Sequence, residues 1–333
     1  MNDSSAIDVI EVKNLKKWFP LSKGFFSEIF KKGERQYLKA VDGVSFAIKP
    51  GEVFGLAGES GCGKSTTGMT VLKLYEATSG EIVFRNQDLS AIKGREELKD
   101  FRKHAQIVFQ NPYESLNPRY TVFQSVDEPV HNHYPGRAGE HYERVVQAVE
   151  RAGLVPPSYF LDRYPHELSG GQLQRVAIAR AISVEPVFLV ADEPVSMLDV
   201  SIRAGILNLL KYFSSELNMG VLYISHDLST MNHICTSIGI MYLGKIVELG
   251  NVRQVLKDPQ HPYTQALVSA IPLMGGRFRR KRILLEGAVP SPINLPEGCR
   301  FRTRCPKVNQ ICGVQEPTLV TLEDTHQVAC HCI

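Results

Sequence analysis

Val53-Phe54-Gly55-Leu56-Ala57-Gly58-Glu59-Ser60-Gly61-Cys62-Gly63-Lys64-Ser65 is the stretch that decides the fold. Its first five residues are a short apolar run, which predicts a buried strand. The last eight match G-x-x-x-x-G-K-[ST] without a gap, and a helix is expected to follow. Glycines let successive backbone N–H groups turn inward around phosphates, and the helix N-terminus adds partial positive charge. Lys64 is placed to reach β- and γ-phosphates, and the Ser65 hydroxyl to ligate magnesium. Gly58, Glu59, Ser60, Gly61, Cys62, Gly63, Lys64, Ser65 and Thr66 are therefore the candidate phosphate-binding residues, with Cys62 present because it is small. The loop implies a nucleotide, without saying which nucleotide machine.

Outward from the loop, the apolar runs Val187 to Ala191 and Val221 to Ile224 are each followed by helical pattern. Runs this short and continuous predict strands buried on both faces of a parallel sheet, hence an α/β fold. Alternation over Asp8 to Lys13 predicts another strand, as does Val44 to Ile48. Between Asp88 and Pro165, polar segments such as Glu140 to Gly153 predict a helical insertion. Pro20 to Lys39, punctuated by Gly24 and Gly33, reads as a surface loop. It carries Lys23, Lys31, Lys32 and Arg35 beside Phe25, Phe26 and Phe30. Without an amphipathic helix pattern, a solvated loop is favoured over one resting on lipid headgroups.

At 333 residues the chain has length for one large domain or two moderate ones, and its 22% charged residues are ordinary for a globular protein. A net charge of +3 is too weak to argue for nucleic acid. No apolar run approaches the ~20 residues of a membrane-spanning helix. Met1-Asn2-Asp3-Ser4-Ser5 lacks the basic and apolar regions of a secretory signal, so the chain is expected in the cytosol or held at a membrane by partners. Cys62 and Cys235 stand alone, whereas Cys299, Cys305, Cys312, Cys330 and Cys332 crowd towards the end. In a reducing compartment such crowding points to a metal rather than to disulfides.

Further motifs appear in order along the chain. Leu168-Ser169-Gly170-Gly171-Gln172 enters a helix running to Ile182, with a hydroxyl and glycine amides placed to face an anion. Phe188-Leu189-Val190-Ala191 ends in Asp192-Glu193, two carboxylates at the C-terminal edge of a buried strand, where open parallel sheets bind ligands. Asp192 suits a magnesium shell, and Glu193 suits polarising an attacking water. Ser196-Met197-Leu198-Asp199 comes next, and His226 comes directly after the strand Val221 to Ser225. With Gln110, which ends Ile107-Val108-Phe109-Gln110, and Trp18 near the start, this series resembles the ATPase subunits of ABC transporters. The resemblance implies that Ser169, Gly170, Gly171 and Gln172 close over ATP held by an opposite subunit. It implies that Asp199 belongs to the D-loop, that His226 senses the γ-phosphate, and that Gln110 contacts magnesium and communicates with a membrane subunit. It also implies that Trp18 stacks on adenine, a role that the adjacent Phe19 fits as well. Met197 departs from the family's usual alanine.

Asn111 to Pro118, Arg163 to Glu167, Met241 to Glu248 and His261 to Leu267 resemble the ATP-binding subunits of oligopeptide and dipeptide importers, so that the likeness covers nearly the whole chain. The phosphate-loop and Gln110 segments look like the second of two paired, non-identical ATPases. The resemblance implies a heterodimer with a paralogous ATPase beneath two membrane permease subunits, supplied by an extracytoplasmic peptide-binding protein. Its place would be the cytoplasmic face of the cell membrane, with no nucleic-acid partner. Cys299-x5-Cys305-x6-Cys312-x17-Cys330 resembles the tail of this branch, which implies a [4Fe–4S] cluster on the four thiolates, with Arg300, Arg302 and Arg304 to offset its charge. Zinc on four thiolates, or on three with His331, and a metal-free thiol tail stay open, and Cys332 is an alternative to Cys330.

The expected architecture is α/β: a P-loop ABC ATPase core with an antiparallel edge sheet, spanning 1–271, and a helical subdomain at about 111–185. A small cysteine-bearing C-terminal domain, 272–333, completes it. The expected reaction is hydrolysis of MgATP coupled to import of di- or oligopeptides. The competing functions are a nickel importer of the same family and a soluble ABC ATPase acting on nucleic acid or ribosomes.

Overall fold

The computed structural model describes residues 7–21, 36–271, 282–323 and 325–333. The basic aromatic residues from Lys23 to Arg35 lie outside the described residues. In chain order the elements are β1 (Ile10–Pro20), β2 (Tyr37–Ile48), β3 (Val53–Ala57), α1 (Lys64–Val71), β4 (Ser79–Phe84), β5 (Gln87–Asp88), α2 (Arg95–His104) and β6 (Ala105–Val108). Next come α3 (Pro112–Ser115), α4 (Val122–His133), α5 (Ala138–Arg151), α6 (Gly170–Ile182), β7 (Phe188–Asp192), α7 (Val200–Leu217), β8 (Gly220–Ser225) and α8 (Leu228–Ile234). Then β9 (Ser237–Tyr242), β10 (Lys245–Asn251), α9 (Val252–Lys257), α10 (Pro262–Ser269), β11 (Val320–Glu323) and β12 (His326–Val328) complete the chain. These elements group into two compact units.

The first unit takes Met1–Ile10, Ala47–Phe54 and Val83–Ser225. Its strands β6, β7 and β8 are parallel, with Val190 opposite Ile107 on one side and Leu222 on the other. Every residue of β7 and β8 is buried, as the continuous apolar runs require of strands covered on both faces. Helices α4, α5 and α6 pack on one another, and α6 also packs on β6. On α5 the buried residues His141, Val145, Ala148 and Val149 fall at helical spacing, giving one inward stripe. Thr121 starts α4 with a capping box: its hydroxyl accepts from the Gln124 amide at 3.2 Å, and its own amide donates to Gln124 Oε1 at 2.9 Å.

The second unit takes Glu11–Phe46, Gly55–Ile82 and His226–Ile333. In it β2, β1 and β4 form one sheet, and β11-β12-β10-β9-β3 run in that order in another. Strands β1 and β2 run longer than their apolar alternation predicts, since β1 reaches Pro20 and β2 starts at Tyr37. Among the extra residues are lysines and aromatics that pair with each other. Lys17 Nζ lies 4.8 Å from the Phe19 ring centre, and Lys39 Nζ lies 4.6 Å from that of Trp18. Cation–π pairs hold polar residues in extended backbone where a count of apolar positions sees a loop.

The C-terminal segment belongs to this second unit too. β12 pairs antiparallel with β10, and Phe301, 1% exposed, stacks among Tyr242, Tyr263 and His261 with ring centres 5.2 to 5.5 Å apart. Glu248 on β10 is 0% exposed, turned inward beside a register shift between Ile246 and Glu248. Its carboxylate takes the amides of Gln260 (2.8 Å) and His261 (2.9 Å), and His326 Nε2 stands 2.7 Å away. Buried His261 caps α10 by accepting the Tyr263 amide on Nδ1 at 3.1 Å, and burial pushes its pKa down to about 3, so the ring is neutral at neutral pH. Glu248→Ala is expected to cost at least about 3 kcal/mol, because each orphaned buried donor costs about 1–3 kcal/mol. A lowered unfolding midpoint in urea with unchanged slope would show it, and an unchanged midpoint would remove Glu248 from this role.

Candidate nucleotide site

In the second unit the phosphate loop is fixed by two glycines whose geometry no other residue reproduces. Gly58 has φ +154° and Gly63 φ +106°. A Cβ on Gly58 would sit 2.2 Å from the Met241 carbonyl oxygen, and one on Gly63 would sit 2.0 Å from that of Ala40. Gly63 is the N-cap of α1, and having no side chain it leaves the helix entrance open to an anion. The Lys64 ammonium donates to the Gly58 carbonyl at 2.8 Å and the Glu59 carbonyl at 3.0 Å, inside the loop. Ser60 and Ser65 are exposed and Thr66 is partly so. Burial, only partly offset by the Lys64 charge, raises the Cys62 thiol, so it stays a neutral small filler. This cradle fits a polyphosphate.

Three ties hold the loop and its neighbour from sites remote in sequence. The Glu59 amide donates to the Tyr263 hydroxyl oxygen at 2.8 Å. Arg304 grips the Glu59 carboxylate with both terminal nitrogens, at 2.8 and 3.2 Å. Arg300 bonds Asp42, whose other oxygen accepts the Trp18 indole N–H at 3.0 Å. Burial pushes the Asp42 carboxyl up, but the Arg300 hydrogen bond and charge outweigh it and hold it below the usual carboxylate range. No pattern in the sequence announces Asp42, Tyr263 or the grip of Arg304 on Glu59. His226, exposed, precedes the N-cap Asp227 of α8.

The first unit carries the carboxylates. Asp192 is buried at the end of β7, which suits a cation's ligand. Glu193, the next residue, has φ +46°, a left-handed backbone that is costly for a side-chain-bearing residue. Its amide bonds the Ile224 carbonyl at 2.9 Å, and Gln110 Nε2 donates to its Oε2 at 3.1 Å. Sequence order named both residues, and the structure brings them into direct contact. Ser169 caps α6 in a reciprocal box with Gln172, at 3.3 and 3.0 Å. A Cβ on Gly171 would lie 2.7 Å from Ile202 Cγ2, so glycine there permits the approach of α7. Asp199 is the N-cap of α7.

Cys299, Cys305, Cys312, Cys330 and Cys332 are all free thiols of the second unit. Cys305 accepts the Lys307 amide at 3.4 Å and Cys330 the Cys332 amide at 3.3 Å, and Cys299 accepts from Phe301. An amide from two residues on favours the thiolate at each of these three sulfurs, but burial outweighs it and raises all three thiols. Without a cation, burial first and then the neighbouring thiols push Cys299 up to about 11. A bound cation reverses that balance. His331 Nε2 faces the Gln315 carbonyl at 2.9 Å.

Fold and residues together define a P-loop nucleotide-binding protein of the ABC class. The ABC transporter family model matches residues 41–196, and that for the oligopeptide/dipeptide transporter C-terminal region matches residues 247–312. The oligopeptide transport ATP-binding protein AppF of Bacillus subtilis is 47% identical over 97% of both chains. The dipeptide transport ATP-binding protein DppF of Haemophilus influenzae is 44% identical over 95% of this chain and 94% of its own. Among solved structures, the dimeric post-hydrolysis state of the ATP-binding cassette MJ0796 bound to ADP and Pi superposes with a TM-score of 0.62. It is 29% identical and covers 73% of this chain and 99% of its own. The chain belongs to the ATP-binding proteins of oligopeptide and dipeptide ABC transporters. Gly63→Ala is expected to weaken binding of a fluorescent ATP analogue tenfold or more, about 1.4 kcal/mol, with the fold intact by circular dichroism. Wild-type affinity in that variant would mean the loop does not hold phosphate as described.

Proposed function

We propose that this chain hydrolyses MgATP to ADP and phosphate to drive import of di- or oligopeptides. The observation that carries the reading is the match of residues 247–312 to the C-terminal region of oligopeptide/dipeptide transporters. The chain acts as the second of two non-identical ATPases, beneath two membrane permeases supplied by an extracytoplasmic peptide-binding protein. It sits at the cytoplasmic face of the membrane through those partners; among the described residues no helix is long and apolar enough to cross one. The 1–271 segment is the ATPase domain and 272–333 its C-terminal domain.

Each residue's role is set by its chemistry. Lys64 and the amides of the loop from Gly58 to Thr66 bind the phosphates, and Trp18 stacks on adenine with its indole edge held by Asp42. Ser65, Gln110 and Asp192 ligate Mg²⁺, which neutralises charge on the phosphates. Glu193 orients and deprotonates the attacking water; Gln110 holds its carboxylate in place, and His226 contacts the γ-phosphate. Ser169, Gly170, Gly171, Gln172 and Asp199 serve the nucleotide of the opposite subunit. Met197 and Val200, apolar yet 61% and 80% exposed, suit a surface that such a partner covers. Cys299, Cys305, Cys312 and Cys330 hold a [4Fe–4S] cluster, which supplies a cross-link within the C-terminal segment.

Glu193→Gln is expected to keep ATP binding and lower turnover by about 10²–10⁴-fold. Cells relying on that variant should lose uptake of labelled peptides and keep Ni²⁺ accumulation; the opposite pattern would make nickel the cargo. Anaerobically purified chain is expected to contain iron and acid-labile sulfide at about four each, with broad visible absorption. Zinc alone would replace the cluster by a structural ion, and neither metal would reduce the tail to packed thiols.

A further inference from the structure

Helices α4 and α5 of the first unit carry a cluster that nucleotide chemistry leaves unused. Asp127 and His131 lie four residues apart on α4, which sets them on one face. His141 stands in the first turns of α5, across the short connection at residues 134–137. One carboxylate oxygen and one nitrogen from each imidazole all lie within 4.8 Å of one another.

The hydrogen bonding at His141 makes this more than proximity. His141 is 8% exposed, and its Nε2 lies 2.9 Å from the Tyr134 carbonyl oxygen. A carbonyl only accepts, so Nε2 is the protonated nitrogen, and in the neutral ring Nδ1 carries the lone pair. Tyr134 is itself pinned, with Lys103 and Arg144 over its ring at 4.1 and 3.9 Å and its hydroxyl 3.3 Å from the Val184 carbonyl. Nδ1 faces Asp127 Oδ1 at 3.2 Å, and that oxygen is buried without a hydrogen-bond partner. Two electron-rich atoms opposed so closely, away from water, require a positive charge beside them. A histidine held by a backbone carbonyl on one nitrogen and presenting the other is the arrangement metal-binding histidines use. His131, exposed, brings the second imidazole, its ring centre 5.8 Å from that of His141 and its plane turned by 81°.

We propose that Asp127, His131 and His141 bind one borderline divalent transition-metal ion, of which Zn²⁺ is the type, with a fourth position open to water. Two imidazoles and a carboxylate suit such an ion and not Mg²⁺ or Ca²⁺, which take oxygen ligands. Bonds of about 2.0–2.1 Å bring ligand atoms to roughly 3.3 Å apart, so the exposed His131 closes by a small rotation onto the pair that is already set. The ion staples α4 to α5 beside their connection. The rival is a proton on Nδ1, which would make His141 the charged partner of Asp127.

The test is Zn²⁺ titration by calorimetry of the full chain with its cysteine tail reconstituted, wild type against His131→Ala and Asp127→Asn, with Co²⁺ absorption alongside. His131 is exposed, so its replacement leaves the fold in place whatever Asp127→Asn does. The expected result is one Zn²⁺ per chain that the tail does not account for, weakened about tenfold or more in His131→Ala. Co²⁺ should give weak bands of nitrogen and oxygen ligation that disappear in that variant. Identical isotherms in wild type and His131→Ala, or Co²⁺ bands of thiolate character alone, would overturn the site and leave the proton in its place.

Discussion

A fully buried carboxylate that, among the described residues, is paired with a histidine and not with an arginine or lysine is the constraint on which the second unit depends. Glu248 is satisfied by the amides of Gln260 and His261 and by His326, donors that come from well beyond its own strand. A carboxylate withdrawn from water costs several kcal/mol unless such donors are supplied. The demand fixes where residue 260 must run, and so where α10 begins. It also fixes where β12 must lie, at the far end of the sequence. The start of α10 delivers Tyr263, whose hydroxyl receives the Glu59 amide, and in this way the phosphate loop inherits its position from a residue on β10.

The segment between Cys299 and Cys305 extends the same logic. Phe301 buries between three rings, and on either side Arg300 and Arg304 reach Asp42 and Glu59. Asp42 in turn holds the Trp18 indole. A short segment bounded by two thiols therefore contacts both ends of the region that would hold a nucleotide. A buried arginine–carboxylate pair is a weak source of net stability, but removing one partner is costly because the other remains buried and unpaired. The arrangement favours a fixed geometry over a gain in free energy. It also explains why the segment falls in one compact unit with the loop and does not stand apart from it.

What the sequence disclosed divides along contact range. The phosphate loop, Ser169 to Gln172, the pair Asp192-Glu193 and the strands β7 and β8 were legible because each is a local pattern with a physical reason for its spacing. The full lengths of β1 and β2 were hidden because lysine–aromatic pairs, such as Lys39 over Trp18, sustain extended backbone without apolar alternation. β11 and β12 escaped because strands of four and three residues carry too little pattern to register. The bonds from Arg304 to Glu59 and from His326 to Glu248 join residues 245 and 78 positions apart, and nothing local at either end requires the other.

Glu193 shows how a side chain is redirected at an ordinary strand end. Its left-handed backbone costs on the order of 1–3 kcal/mol and persists only if the surroundings over-determine it. They do so from both sides. Its amide continues the β7–β8 ladder onto the Ile224 carbonyl, which keeps the residue in register with the buried sheet. Its own carbonyl accepts both the amide and the hydroxyl of Ser196, at 3.2 and 3.0 Å, which forces the chain to turn at once. A residue held in the ladder by its amide and in a turn by its carbonyl has its side chain thrown clear of the strand's alternation. That is why the Glu193 carboxylate meets Gln110, from the loop after β6, and does not go with Asp192 into burial. The strain is thus offset by the sheet that the apolar runs dictate.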